Sequence, residues 1–212
     1  MERLIEVYLL NTEKLEDKAE NLLPMIAPYY ADKYNRAKAA SVKTQELAAG
    51  YVLRKCLGVN SDDQLIFGEQ GKPSLNKENI DCDKEFNLSH SGKYVVLAVS
   101  DDPVGVDIER ISRVTLPILK RVLPPDYYLK IEEEAKAADN AEAEKDILGK
   151  SWTALEAVLK ASGTGFITDE YSSDDFFDGW YVESMKIEDE YILSCASKAP
   201  FKLSLNELEI QI

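Results

Sequence analysis

With 212 residues, 45% of them hydrophobic, the chain is long enough for one sizeable core or two small ones and too apolar to stay disordered. Asp and Glu number 39 against 25 Lys and Arg, a formal net charge of −14 whose field excludes non-specific binding to nucleic acid or to an anionic membrane. Any phosphate ligand must therefore be held by a local cluster of positive charge. No apolar run approaches the roughly 20 residues of a membrane helix, and the start, MERLIEVYLL, is acidic where a signal peptide is basic, so a cytoplasmic protein is expected. Cys56, Cys82 and Cys195 are scattered, and with one histidine in the chain a zinc site is not expected; three reduced thiols packed as small apolar side chains are.

In chain order, Arg3 to Leu10 reads as a strand, and Thr12, Glu13 and Leu15 as a helix N-cap and first turn. Lys33, Arg36, Lys38 and Lys43 are the densest positive stretch before the histidine, by default a solvated face. A helix is predicted from near Ser41 to Leu57, closed by Gly58. Leu65 to Phe67 is a short strand, and GEQGKP from Gly68 is a turn that presents Lys72.

Phe86 to Ile111 follows, FNLSHSGKYVVLAVSDDPVGVDIERI. Tyr94 to Val99 and Val104 to Ile108 are β-branched and apolar around the turn signal Asp101-Asp102-Pro103, which predicts two strands and a tight turn. Asp107 and Glu109 share one face of the second strand, because residues two apart on a strand point the same way. Two carboxylates side by side among Val104, Val106 and Ile108 form either a solvated strand face or half of a cation site. His90, between two serines, is either a hydrogen-bonded loop histidine or a ligand contact.

Beyond Ile111 the character becomes helical. Leu116 to Leu123 is amphipathic, and a polar helix or mobile connection carrying little core is expected through Glu132 to Asp146. A strong helix is predicted from Gly149 to Ser162, ended by Gly163, with Trp152, Glu156 and Lys160 four apart on one face. Glu156 and Lys160 are either an exposed ion pair or part of a site. Strands are predicted at Trp180 to Ile187, Tyr191 to Ser197 and Leu208 to Ile212. Both halves run strand, helices ending in a long helix closed by Gly, then strands, a hint of duplicated α+β architecture with lobes at 1–104 and 105–212.

Four strings stand in one order: GKP at Gly71, SHS at Ser89, GVDIE at Gly105 and W-x-x-x-E-x-x-x-K at Trp152. On them, from about Arg36 to Phe166, the sequence resembles the Sfp-type 4′-phosphopantetheinyl transferases. The resemblance implies a pseudo-twofold α+β fold, two similar lobes with a cleft for coenzyme A and Mg²⁺, and a monomer that is itself a pseudo-dimer. It implies transfer of phosphopantetheine from coenzyme A to a serine of an apo acyl or peptidyl carrier protein, releasing adenosine 3′,5′-bisphosphate. Carried over by residue, Asp107, Glu109 and Glu156 would ligate Mg²⁺, and Glu156 would also be the base for the serine. Lys160 would contact the pyrophosphate, His90 with Ser89 the coenzyme A phosphates, and Lys72 with Pro73 the adenine end.

The chemistry suits these residue types. Mg²⁺ takes a few carboxylates plus phosphate oxygens, and Lys160 and His90 provide the local positive charge an acidic chain otherwise lacks. Two positions depart from the family pattern. Leu155 stands where many relatives carry Lys before the helix Glu, and the usual Arg opening the first long helix is absent, with Lys43, Arg36 or Lys38 as its substitutes. These departures leave open a degenerate member that binds coenzyme A or a carrier without catalysis. For an acidic carrier, Arg110, Arg113, Leu116, Lys120, Arg121 and Leu123 are the nearest basic and apolar group.

Overall fold

The computed structural model describes residues 3–15, 17–68, 71–165 and 176–210. Phe166, where the resemblance ends, Glu69 and Gln70 of GEQGKP, and the last two residues of the strand expected at Leu208 to Ile212 lie outside them. The elements in order are β1 (Arg3–Asn11), α1 (Ala19–Leu22), α2 (Pro28–Arg36), α3 (Ala40–Leu57), β2 (Leu65–Phe67), β3 (Pro73–Leu75), β4 (Glu85–Ser91), β5 (Tyr94–Ser100), β6 (Val104–Arg110), α4 (Leu116–Val122), α5 (Pro125–Lys136), α6 (Ala141–Ser162), β7 (Tyr181–Ile187), β8 (Tyr191–Ser197) and β9 (Phe201–Glu207). The fold class is α+β, and the chain divides into two compact units. No helix of the described residues is long and apolar enough to cross a membrane.

One unit comprises Leu4–Asp102 and Lys202–Ile212, of which the described residues form a sheet of order β4-β5-β1-β9 and the β2-β3 hairpin. β5 is a continuous apolar run because it is the inner partner of β4 and β1, antiparallel to both, and all seven of its residues are buried. Helix α3 packs on β5 through a core that includes Leu47, Leu53, Val95 and Leu97. Gly58 closes α3 in the left-handed region at φ 76°, its N–H returning to the Arg54 carbonyl at 3.0 Å.

The other unit is built from Pro103–Phe201. Its sheet, β6-β8-β7, is antiparallel throughout, and α6 lies on β6 and β8. Helices α4, α5 and α6 share an apolar cluster that includes Leu119, Tyr128, Ile131, Leu148, Leu155 and Leu159.

Four local expectations are corrected. Thr12 to Leu15 is a single 3-10 turn rather than a continuing helix, with Thr12 hydrogen-bonded back to Lys93. The stretch through Glu132 to Asp146 is the end of α5 and the start of α6 rather than one helix; it carries little core, as expected, with Ala135 its one buried residue, while the buried Tyr128 and Ile131 of α5 precede it. Helix α6 begins at Ala141, eight residues before the expected start, because the Asn140 side chain accepts hydrogen bonds from the Glu142 and Ala143 amides at 3.0 and 2.9 Å. Among the described residues the last strand is Phe201–Glu207, beside β1, and past it Leu208 N–H meets the Leu9 carbonyl at 2.9 Å without the strand continuing. Helix α2, which carries Lys33 and Arg36, went unforeseen; its mean hydropathy is low, and Pro28 at its first turn was the available signal.

Candidate active site

From Ser151 to Ala161, every residue of α6 is buried except Trp152, Glu156 and Lys160, which are half-buried and stand four apart. A helix this enclosed carries charge on one row only. The row is not an i,i+4 ion pair between its own members: Lys160 Nζ lies 2.6 Å from Asp107 Oδ1 on β6, with side chains 28% and 7% exposed.

Gly105, Asp107 and Glu109 occupy the face of β6 that looks at α6. Gly105 is required there, because a Cβ on it would lie 1.9 Å from the Ala157 carbonyl oxygen and 2.5 Å from the Ala161 nitrogen. The glycine of GVDIE therefore lets the helix backbone rest on the strand and brings Glu156 and Lys160 down to the two carboxylates. Asp107 is buried, which removes the solvated-face reading; Glu109 is partly exposed, accepts from its neighbour's Arg110 amide at 2.7 Å and faces Arg113 Nη1 at 3.5 Å.

Burial, and then the negative field of Asp107, push the Glu156 carboxyl up to about 7; Lys160 opposes the shift and Glu109 adds to it. Three carboxylates thus share one field. A folded-state carboxyl that holds its proton more tightly than the unfolded one contributes stability that is complete below about 4.5 and is lost as pH rises through about 7. In chelator-treated protein, Glu156→Gln should accordingly gain on the wild type by up to roughly 3 kcal/mol between about pH 5 and pH 8. Urea unfolding across that range checks it, and a difference independent of pH would remove the shared field as its cause.

The remaining sequence-derived residues lie in the other unit. Lys72 follows a turn closed by Gly68 N–H to Lys72 O at 3.0 Å with Gly71 at φ 75°, and burial pulls its ammonium below the ordinary lysine range. Pro73 opens β3 opposite Phe67. His90 is on strand β4 rather than in a loop, exposed and paired with Val95, while Ser89 is buried; as neighbours on a strand the two point to opposite faces. Lys43, in the first turns of α3, sits 5.3 Å from the Tyr34 ring centre, and Gln45 two residues on donates to the Gly92 carbonyl at 2.9 Å, tying α3 to the hairpin that bears Ser89 and His90. Of its suggested substitutes, Arg36 faces Asp32 at 3.5 Å. Leu155 is 0% exposed within the α4-α5-α6 cluster, so it serves the core.

Among the described residues, no group of three or more His, Cys, Asp and Glu is already gathered in metal-ligating geometry. The donor set nevertheless fits a hard divalent cation. Asp107 and Glu109 both raise the proton affinity of Glu156, and the chain answers Asp107 with its own cation, Lys160. Sequence reasoning missed the hydroxyls beneath this site, Thr153, Ser184 and Ser194, although Gly149, Thr153, Ala157 and Ala161 at every fourth position signal a close helix-to-sheet contact.

Comparison with known proteins bears on the same segment. Residues 103–197 match the model of the 4′-phosphopantetheinyl transferase superfamily. The chain is 35% identical over 106 residues to the 4′-phosphopantetheinyl transferase gsp of Aneurinibacillus migulanus, covering 49% of this chain and 40% of that protein. It is 26% identical over 155 residues to the 4′-phosphopantetheinyl transferase Sfp of Bacillus subtilis, covering 71% and 66%, and 36% identical over 103 residues to psf-1 of Bacillus pumilus, covering 49% and 42%. The chain thus spans between 40% and 66% of the length of these relatives. The superfamily match contains GVDIE and the Glu156 and Lys160 row, the two elements that meet at Gly105, so the part of the chain similar to these transferases is the part that builds this site.

Proposed function

We propose that this protein moves the phosphopantetheine arm of coenzyme A onto a serine of an apo acyl or peptidyl carrier protein in the cytoplasm. The observation that carries the reading is the charged row of α6, Glu156 and Lys160, set against Asp107 and Glu109 in a segment, Ser151 to Ala161, that is otherwise buried apart from Trp152. The serine Oγ attacks the phosphorus nearer pantetheine, forming a new P–O bond. The bridging P–O bond of the pyrophosphate breaks, its electron pair leaves with adenosine 3′,5′-bisphosphate, and the hydroxyl proton passes to Glu156.

Asp107, Glu109 and Glu156 would hold Mg²⁺, which when bound neutralises charge developing on the leaving phosphate. Lys160 would turn its ammonium from Asp107 to the pyrophosphate. In the other unit, Lys72 and Pro73 would meet the adenine end, and His90 the phosphates, with Lys43 as a further cation. Ser89, buried on the opposite face of β4 from His90, would act through the backbone it anchors. Pseudo-twofold duplication with halves meeting near residues 104 and 105 belongs to the same proposal. Its support is that each unit holds a long helix, closed by a left-handed glycine, on an antiparallel sheet. Within the carrier-docking group Leu123 is buried, and the exposed charges are Arg110, held by Glu190 at 2.7 Å, Arg113, facing Glu109 at 3.5 Å, and Lys120 and Arg121 at the end of α4.

Intact-mass measurement tests the reading directly. With coenzyme A, Mg²⁺ and an apo carrier, the carrier should gain one phosphopantetheine, and chelation of the metal should stop the gain. Binding of coenzyme A without mass gain across fatty-acid, polyketide and peptide carriers would replace transfer by a binding role.

A further inference from the structure

Residues 149, 153, 157 and 161 of α6 are Gly, Thr, Ala and Ala, one per turn on the row beside Glu156 and Lys160. The row meets the sheet at close range throughout. A Cβ on Gly149 would stand 3.0 Å from Ile192 Cγ1, and Ala157 and Ala161 close over Gly105. Such apolar contacts are non-directional and tolerate a small slide or rotation of the helix. Between them lies a polar link. Thr153 Oγ1 and Ser194 Oγ are 2.6 Å apart, both side chains 0% exposed, and Ser194 Oγ continues to Ser184 Oγ at 2.7 Å on β7.

The hydroxyl protons can be ordered along this chain. Thr153 donates to the Gly149 carbonyl at 3.0 Å, so Ser194 donates to Thr153 and Ser184 to Ser194. Each hydroxyl then donates once; Thr153 and Ser194 are buried, so breaking the link between them leaves a buried hydroxyl without its partner, whereas Ser184 at the end of the chain is exposed. Ser194 also stands directly opposite Asp107 in the β6–β8 ladder, and Thr153 is three residues before Glu156. The link therefore joins the strand position of Asp107 to the helix turn of Glu156.

We propose that the Thr153–Ser194–Ser184 hydroxyl chain is a positioning element that fixes the rotation and height of α6 on its sheet, and so holds Glu156 and Lys160 at Asp107. Its catalytic consequence rests on the transferase reading above; its geometric consequence does not. None of the three hydroxyls touches a reacting atom in that reading. They act through the height and rotation of the α6 backbone that carries Glu156 and Lys160, the latter 2.6 Å from Asp107.

The test uses Thr153→Val, which deletes the hydroxyl at nearly constant volume, with Thr153→Ser as the rescue. The first readout is the Lys160 ammonium resonance by nitrogen-15 NMR in metal-free protein, assigned with Lys160→Arg. Thr153→Val should move or broaden that resonance, weaken Mn²⁺ binding measured by calorimetry, and lower kcat for carrier modification about tenfold to a hundredfold at unchanged KM, while Thr153→Ser restores all three. A Thr153→Val protein that folds and keeps the wild-type Lys160 resonance and kcat overturns the proposal. Should Thr153→Val fail to fold, Ser194→Ala deletes the same link from the sheet side and is read the same way. If the wild type modifies no carrier, the transferase reading falls, and the Lys160 resonance alone decides the positioning role.

Discussion

Gly105→Ala should leave the Pro103–Phe201 unit unable to seat α6, at a cost of more than about 4 kcal/mol, a large part of the 5–15 kcal/mol typical of a whole domain. The added methyl meets backbone, the Ala157 oxygen at 1.9 Å and the Ala161 nitrogen at 2.5 Å, so neither side-chain rotation nor a neighbour's rotamer change can relieve it. The helix must lift or the strand must bend, and either separates Lys160 from Asp107. Gly58→Ala is the matched control. There a Cβ meets nothing within 4 Å, and the only cost is the left-handed backbone at φ 76°, about 1 kcal/mol. Urea unfolding and soluble yield of the two variants give the comparison; similar midpoints for both would mean that helix and strand are not in backbone contact at Gly105.

Asp107→Asn should lower carrier modification by at least about a thousandfold while the protein stays folded. Two effects on stability oppose each other. The amide loses the Lys160 ion pair, but Lys160 is 28% exposed and can turn to water, and the amide also relieves the repulsion that Asp107 exerts on Glu156. The net change should stay within about 2 kcal/mol. Glu156 should titrate lower than in the wild type yet still above the ordinary carboxylate range, because burial, the larger cause, remains. Single-turnover mass measurements and carboxyl NMR report the two effects separately. Full activity in Asp107→Asn would refute the assignment of this aspartate to the metal.

Much of the secondary structure was legible because it is written in local periodicity. The alternation and β-branching of Tyr94–Ser100, Val104–Arg110 and Tyr191–Ser197 place those strands within a residue or two of where they lie, and Gly58 and Gly163 mark the helix ends. Two of the errors share one cause. In the Ala, Glu and Lys stretch around Glu132 to Asp146 the apolar residues are sparse, so periodicity was weak, and the two helices there are set by Asn140 capping and by Tyr128 and Ile131 docking on distant partners.

The site divides in the same way. Sequence by itself determined the residue types and their spacing: two carboxylates two apart on a strand, a glutamate and a lysine four apart on a helix, and a glycine two before the first carboxylate. Local stereochemistry suffices for that. Only the tertiary structure decided that the helix from Ser151 to Ala161 is buried on every row but one, that Lys160 pairs with Asp107, 53 residues away, instead of with Glu156, and that Gly105 is the point of contact. Those outcomes depend on which faces pack. A helix's own sequence displays its rows without saying which of them will meet the sheet, and here backbone approach at Gly105 and the buried link between Thr153 and Ser194 make that choice.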